Sequence, residues 1–128
     1  MEITAVKEPI TARNADLSGS SFECLSLRST TFNDIAMQDA RFENINLSGG
    51  VFDRMNLARA RFSKAMLPGA TFTDVNLAGA SFDNVNLVGA TIHDANLSGV
   101  TISGCNLADM RIDGILVADL LAAYRKTV

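Results

Sequence analysis

The feature that most constrains this chain is a large apolar residue at every fifth position from Leu17 to Val117. Neither this column nor the column two residues before each centre contains a charged side chain. A period of five fits neither the 3.6-residue turn of a helix nor the two-residue alternation of a single strand. Strict self-similarity of this kind indicates a repeat architecture in which successive units stack on one another.

A coil with four sides of five residues satisfies the pattern. Each side directs its centre and the residue two before it inward, as the alternation along a strand requires, and the chain then turns a corner. Twenty residues per coil gives about five coils, with positions 20 apart stacked. The predicted core centres are Leu17, Met37, Leu57, Leu77 and Leu97 (first face), Phe22, Phe42, Phe62, Phe82 and Ile102 (second face), Leu27, Leu47, Leu67, Leu87 and Leu107 (third face), and Phe32, Phe52, Phe72, Ile92 and Ile112 (fourth face).

The corners differ between faces. Glycine recurs two residues after the Leu centres, as in Leu67-Pro68-Gly69-Ala70. Proline followed by glycine is typical of a type II turn, whose third residue needs a positive φ. The Phe faces mostly carry Asn or Asp at this position, so we expect type II turns on the Leu faces and another turn type on the Phe faces.

The motifs Ala15-Asp16-Leu17-Ser18-Gly19 and Ala95-Asn96-Leu97-Ser98-Gly99 resemble those of the pentapeptide-repeat proteins. The resemblance covers about residues 15–119 and implies an all-β fold, a right-handed quadrilateral β-helix. Residues 1–14 lack the repeat and are expected to cap the first coil. Residues 120–128 are expected to form a short C-terminal helical cap or dimer segment.

The apolar residues at this C-terminal end follow helical spacing. They are Leu116, Leu120, Leu121 and Tyr124. One interpretation is a hydrophobic lid over the last coil, and the other is a homodimer seam of the kind that some members of the family form. Both remain open at this point.

Catalytic chemistry finds little support in the sequence. One histidine and two cysteines exclude a site built on several histidines or a four-cysteine metal centre. We interpret His93, beside Asp94, as a solvated surface residue. Cys24 and Cys105 lie about four coils apart, roughly 19 Å, which is beyond disulfide reach. The recurring Asn before Leu centres is expected to bond to backbone. The sequence therefore predicts a non-enzymatic protein with no catalytic residue, metal or cofactor.

Charge and hydropathy limit the classes of partner that the chain can have. The net charge of −3 and a pI near 5.0 argue against direct nucleic-acid binding through net positive charge. The first nine residues contain charges and a proline but no apolar segment, which predicts no secretory signal. No apolar run approaches the ~20 residues that span a bilayer. We expect a bacterial, cytoplasmic protein without a membrane partner.

The surface offers two further features. The fourth face carries an acidic ladder of Asp34, Asp53, Asp74, Asp94 and Asp113, whereas Arg41, Arg54, Arg59, Arg61 and Lys64 form a basic belt around the third coil. The third face is nearly uncharged at Ser48, Pro68, Val88 and Ala108. We expect a protein-binding or scaffold module whose partner is unidentified. The resemblance also implies an alternative, a DNA mimic that binds a type II topoisomerase such as gyrase, as quinolone-resistance members do.

Overall fold

The computed structural model describes residues 2–3, 11–13, 16–23 and 26–126. The proposed N-terminal cap lies mostly outside these ranges, as does Cys24. The described repeat, from Asp16 to Ile112, makes four complete coils of 20 residues and most of a fifth. The predicted quadrilateral β-helix is confirmed.

Short strands lie on the second and fourth faces. In chain order they are β1 (Glu2–Ile3), β2 (Thr11–Arg13), β3 (Ser21–Glu23), β4 (Thr31–Asn33), β5 (Arg41–Glu43), β6 (Val51–Asp53), β7 (Arg61–Ser63), β8 (Thr71–Asn76), β9 (Ser81–Asp83), β10 (Thr91–Asn96), β11 (Thr101–Ser103), β12 (Arg111–Ile112) and β13 (Ile115–Leu116), followed by helix α1 (Val117–Lys126).

The strands form two sheets that make up opposite walls. One sheet has the order β1-β3-β5-β7-β9-β11 and the other β13-β12-β10-β8-β6-β4-β2. From β3 to β11 and from β2 to β12 the paired strands are parallel, with partners 20 residues apart, as in Phe42 beside Phe62. The Leu faces pair through single-residue bridges, such as Asn46 with Met66. The backbone thus bonds vertically on all four sides, as stacked coils require.

The repeat centres fill the axis of the coil. Every centre from Phe22 to Ile92 is buried, and every described residue two positions before these centres is buried as well. Each buried large side chain stabilises the fold by ~1.5–3 kcal/mol. Stacking of the coils therefore joins centres that recur every five positions in the sequence into one continuous core.

The phenylalanine rings stack along the axis in two columns. The centroids of Phe42 and Phe62 lie 4.6 Å apart and those of Phe62 and Phe82 lie 4.7 Å apart, with each pair of rings within 3° of parallel. The two columns meet where Phe72 packs edge-on against Phe82 at 6.4 Å. The ring spacing matches the ~4.8 Å separation of paired strands, so backbone pairing and ring stacking reinforce each other.

Turn geometry separates the faces. On the Leu faces the amide three residues after the centre donates to the centre's carbonyl, as in Ala70 N to Leu67 O at 3.1 Å, and the third residue has a positive φ, +69° at Gly69. This is the type II pattern, which confirms that prediction. Among the described residues, no such bond closes the corners after Phe32, Phe42, Phe52, Phe62 or Phe82.

Positive φ values also occur at corners that lack glycine, which the five-residue pattern does not predict. On the Phe faces they include Arg54 at 53° and Lys64 at 52°, besides several Asp and Asn residues. Left-handed backbone costs an ordinary residue roughly 1–2 kcal/mol. The amide of Arg54 donates to Thr73 O at 3.0 Å, so the bond to the next coil helps to offset this cost.

The last coil departs from the predicted core. Ile102, expected inside, is exposed, and Leu97, Leu107 and Ile112 are only half-buried, as is Leu17 at the other end. Among the described residues no strand pairs with β11 on its outer side, so the Ile102 side chain is left on an open surface. The helix begins at Val117, three residues before the expected boundary at residue 120.

Candidate functional site

The C-terminal end of the solenoid is only partly closed. Met110 and Val117 are buried there, and the Val117 amide donates to Met110 O at 2.9 Å. Beyond Val117 the apolar side chains of α1 are exposed, so the expected hydrophobic lid is incomplete. We define the end patch by its exposed fractions: Ile102 39%, Ile115 50%, Leu120 42%, Leu121 40% and Tyr124 67%. Leu116, predicted with them, is half-buried.

The two sheets end differently at this patch. In the sheet of the fourth face, β13 folds back antiparallel to β12 and covers its edge. In the sheet of the second face, β11 is the terminal strand, and Thr101, Ile102 and Ser103 are all exposed. An uncovered strand edge presents unpaired backbone donors and acceptors. The end patch therefore combines apolar side chains with the free edge of β11.

The acidic ladder is two neighbouring columns rather than one. Asp34, Asp74 and Asp94 lie at the corner position, in register with Arg54, whereas Asp53 and Asp113 lie one residue earlier in their coils. Arg54 interrupts the ladder: its Nε lies 4.0 Å from Asp53 Oδ2, and its guanidinium donates to Asn33 Oδ1 at 3.0 Å. The stripe is thus partly neutralised at its middle.

His93 and Asp94 form an exposed pair with Nδ1 2.8 Å from Oδ2. No nucleophile is placed beside them by any described contact. Cys105 is half-buried, and its Sγ lies 3.5 Å from Phe82 O and 3.4 Å from the Val85 amide. These contacts place Cys105 in the wall of the coil, against the backbone of the preceding coil.

The asparagine column has a backbone role. The side-chain oxygen of Asn86 accepts from the Val88 amide at 3.0 Å, and that of Asn76 accepts from Ala78 at 3.0 Å. Asn46, Asn96 and Asn106 do the same at their corners. The prediction that these residues bond to backbone is confirmed, and each bond is a local Asx turn that fixes the corner.

The third face is smooth. Ser48, Pro68 and Val88 are half-buried and Ala108 is exposed. The most exposed large apolar side chain on this face is Met66, beside a shallow depression of about 340 Å³ that includes Asn86 and Asn106. Nothing in these contacts selects a ligand class.

The basic belt divides into paired and unpaired members. Arg59 Nε and a terminal nitrogen donate to the two carboxylate oxygens of Asp39 at 2.9 and 3.1 Å. The hydrogen bond from Arg59 and its charge hold the pKa of Asp39 below its ordinary value, and the same bond raises the pKa of Arg59. Arg41 and Arg61 form no ion pair within the described part of the chain.

Neither a metal centre nor a membrane span emerges from the described residues. They contain no group of three or more His, Cys, Asp or Glu side chains placed to hold a metal ion. The helix that the structure describes, α1, lacks the length and apolar character needed to cross a bilayer.

Comparison with known families shows to which family the chain belongs. A family model described as "Pentapeptide repeat region" matches residues 15–92 and 35–112, which together cover most of the chain. The chain belongs to the pentapeptide-repeat family. No curated protein gives a significant match.

Solved structures agree on the fold of this pentapeptide-repeat chain. Rfr23 from the cyanobacterium Cyanothece 51142 matches with a TM-score of 0.77 and 19% identity, covering 83% of this chain and 86% of its own. A pentapeptide-repeat protein of the Arabidopsis thaliana thylakoid lumen matches with a TM-score of 0.51 and 28% identity, covering 88% and 75%. The fluoroquinolone-resistance protein QnrB1 matches with a TM-score of only 0.30 and 14% identity, covering 95% and 90%, which carries no functional argument.

Proposed function

We propose that this chain is a non-enzymatic protein-binding module that works without a cofactor and docks its partner on the end patch. The observation that carries the proposal is the exposure of Leu120, Leu121 and Tyr124 together with Ile102. Exposed apolar side chains gathered at one end of a protein are typical of interaction sites. The coils themselves serve as a rigid support for this end.

The free edge of β11 strengthens the proposal. A partner can pair a strand with Thr101–Ser103 while its apolar side chains cover Ile102 and the helix. Main-chain bonds would then supply affinity and the side chains specificity. A second copy of this chain is one such partner, and a different protein is the other.

Affinity capture tests the proposal with matched baits. The native chain is compared with a Leu120→Glu/Leu121→Glu double variant and with an Asp74→Asn control on the acidic ladder. We expect a partner that binds the native chain and the control after purification but loses at least tenfold in affinity for the double variant. Equal binding of that partner to all three baits would refute the end patch as the site.

Solution mass distinguishes the two kinds of partner. A homodimer through the end patch gives a particle of twice 13.6 kDa that the double variant converts to a monomer. A native chain that remains monomeric at all concentrations directs the search to a different protein. Charge introduced at two exposed positions should leave the fold intact, which circular dichroism checks.

The acidic ladder supports the alternative, a DNA mimic that binds a type II topoisomerase. Its carboxylates form two neighbouring columns along the fourth face, but five charges are few beside duplex DNA, which carries one per ~1.7 Å of axis. Arg54 lowers the negative charge further. A gyrase supercoiling assay tests this alternative, and no effect at micromolar excess would remove it. Bacterial origin and cytoplasmic residence remain predictions.

A further inference from the structure

Two arginines occupy the same position in successive coils on the second face. Arg41 and Arg61 are direct partners in the parallel pairing of β5 with β7. Paired strands lie ~4.8 Å apart, so two exposed guanidinium groups leave the wall side by side. Ser21 and Ser81 hold this position in the coils on either side.

These two positive charges lack compensation within the described part of the chain. Neither Arg41 nor Arg61 forms an ion pair there. The neighbouring Arg59 donates two hydrogen bonds to the carboxylate of Asp39. Asp39 and Glu43 each lie two residues from Arg41 in sequence: Asp39 is paired with Arg59, and Glu43 forms no ion pair within the described residues. Like charges directly opposite on neighbouring strands are destabilising, so the arrangement favours a bound anion.

A groove lies beside the pair. It has a volume of about 460 Å³ and is lined by Asp39, Arg41, Arg59, Arg61, Gly79 and Ser81. A Cβ at Gly79 would lie 3.3 Å from Cγ of Arg59 and would crowd that side chain. Arg59 neutralises the charge of Asp39, the carboxylate in the lining. The positive charges of Arg41 and Arg61 therefore determine which ligand charge the groove favours.

We propose that this groove binds a phosphate monoester between Arg41 and Arg61. Guanidinium groups bind phosphate oxygens through paired, charge-assisted hydrogen bonds. A phosphate monoester carries about −1.5 to −2 charges at pH 7, which matches the two unpaired arginines, whereas a carboxylate carries one. The Ser81 hydroxyl offers a further donor at the edge of the groove.

Two sources share this chemistry: a phosphorylated side chain of a protein and a small phosphorylated molecule. The test titrates ¹⁵N-labelled protein with glycerol phosphate, with a blocked Gly-phosphoserine-Gly peptide, and with acetate at equal ionic strength. We expect saturable shifts of the Nε–Hε signals of Arg41 and Arg61 with both phosphates and none with acetate. Tighter binding of the peptide assigns the source to a protein, and tighter binding of glycerol phosphate assigns it to a small molecule.

Substitutions identify the binding groups. Arg41→Gln or Arg61→Gln should weaken phosphate binding about tenfold, since each removes a charge-assisted contact. Arg54→Gln, on another face, is the matched control and should bind as the native chain does. Phosphate should also raise the unfolding midpoint of the native chain and raise it less in the two groove variants.

Equal binding by the groove variants, or shifts no larger than with acetate, would overturn the proposal. The groove and the end patch are separate surfaces, so their outcomes are independent. The Leu120→Glu/Leu121→Glu variant should bind phosphate normally even where it has lost its protein partner.

Discussion

At the residue scale, the fold is held together by the side chains that face the axis of the coils. The five-residue period predicted the buried centres from Phe22 to Ile92 because each position repeats the same environment one coil later. The period could not predict the exposure of Ile102, since burial there depends on a strand stacked on the outer side of β11, and the described residues contain none. Nor did it predict the positive φ of Arg54 and Lys64, because their side chains give no sign of it.

Truncation of a ring in mid-stack tests the core. Phe62 lies between Phe42 and Phe82, with centroids 4.6 and 4.7 Å away. Phe62→Ala should lower the free energy of unfolding by roughly 3–5 kcal/mol, because it leaves a cavity between two rings. Ile102→Ala, in the same column but exposed, should cost clearly less. Urea denaturation measures both, and equal losses would contradict the inward stack.

Gly69 tests the corner conformation. Its φ is +69°, and a Cβ added there would meet nothing within 4 Å, so only backbone strain opposes a side chain. Gly69→Ala should destabilise the fold by about 1 kcal/mol, and Gly69→Asn by less, because asparagine tolerates the left-handed region. Thermal unfolding compares the two variants. An alanine variant as stable as the native chain would show that this corner does not need a positive φ.

At the element scale, walls and corners were predictable and the terminus was not. The 20-residue spacing predicted that positions 20 apart stack, as the pairing of Arg41 with Arg61 and of Asp39 with Arg59 shows. Helical spacing of the apolar residues predicted α1. How the helix packs on the last coil depends on its position in three dimensions, which the spacing does not specify. The free edge of β11 follows from β13 covering one sheet alone, which sequence periodicity does not reveal.

The Asp39–Arg59 pair links neighbouring coils and makes stability depend on pH. Because the pKa of Asp39 is lowered in the folded chain, its contribution is present above the ordinary value and is lost as the pH falls through the folded value. Asp39→Asn should therefore lose less stability than the native chain on acidification below pH 4, as should Arg59→Gln. Urea midpoints across this range measure the difference.

Asp83→Asn is the control for this titration, since Asp83 makes no ion pair within the described residues. Its pH profile should follow that of the native chain. An Asp39→Asn profile that coincides with the native one would show that the ion pair does not couple the coils.

At the scale of the whole molecule, stability should vary along the stack. Each coil contacts only its neighbours, so the middle coils are supported on both sides and the last on one. The exposed end patch and the half-buried Leu97 and Leu107 lie at that unsupported end. The part proposed to bind a partner should therefore be less stable than the middle coils, and binding should stabilise it.

Amide hydrogen exchange measured residue by residue tests the stacked-coil account most directly. The amides of Leu47 and Leu67 each donate to the next coil, to Met66 O and Asn86 O at 2.7 Å, whereas Leu107 has no such acceptor among the described residues. We predict that Leu47 and Leu67 exchange only through global unfolding and that Leu107 in the unbound monomer exchanges much faster. Fast exchange of Leu47 and Leu67, at the rate of Leu107, would contradict the account.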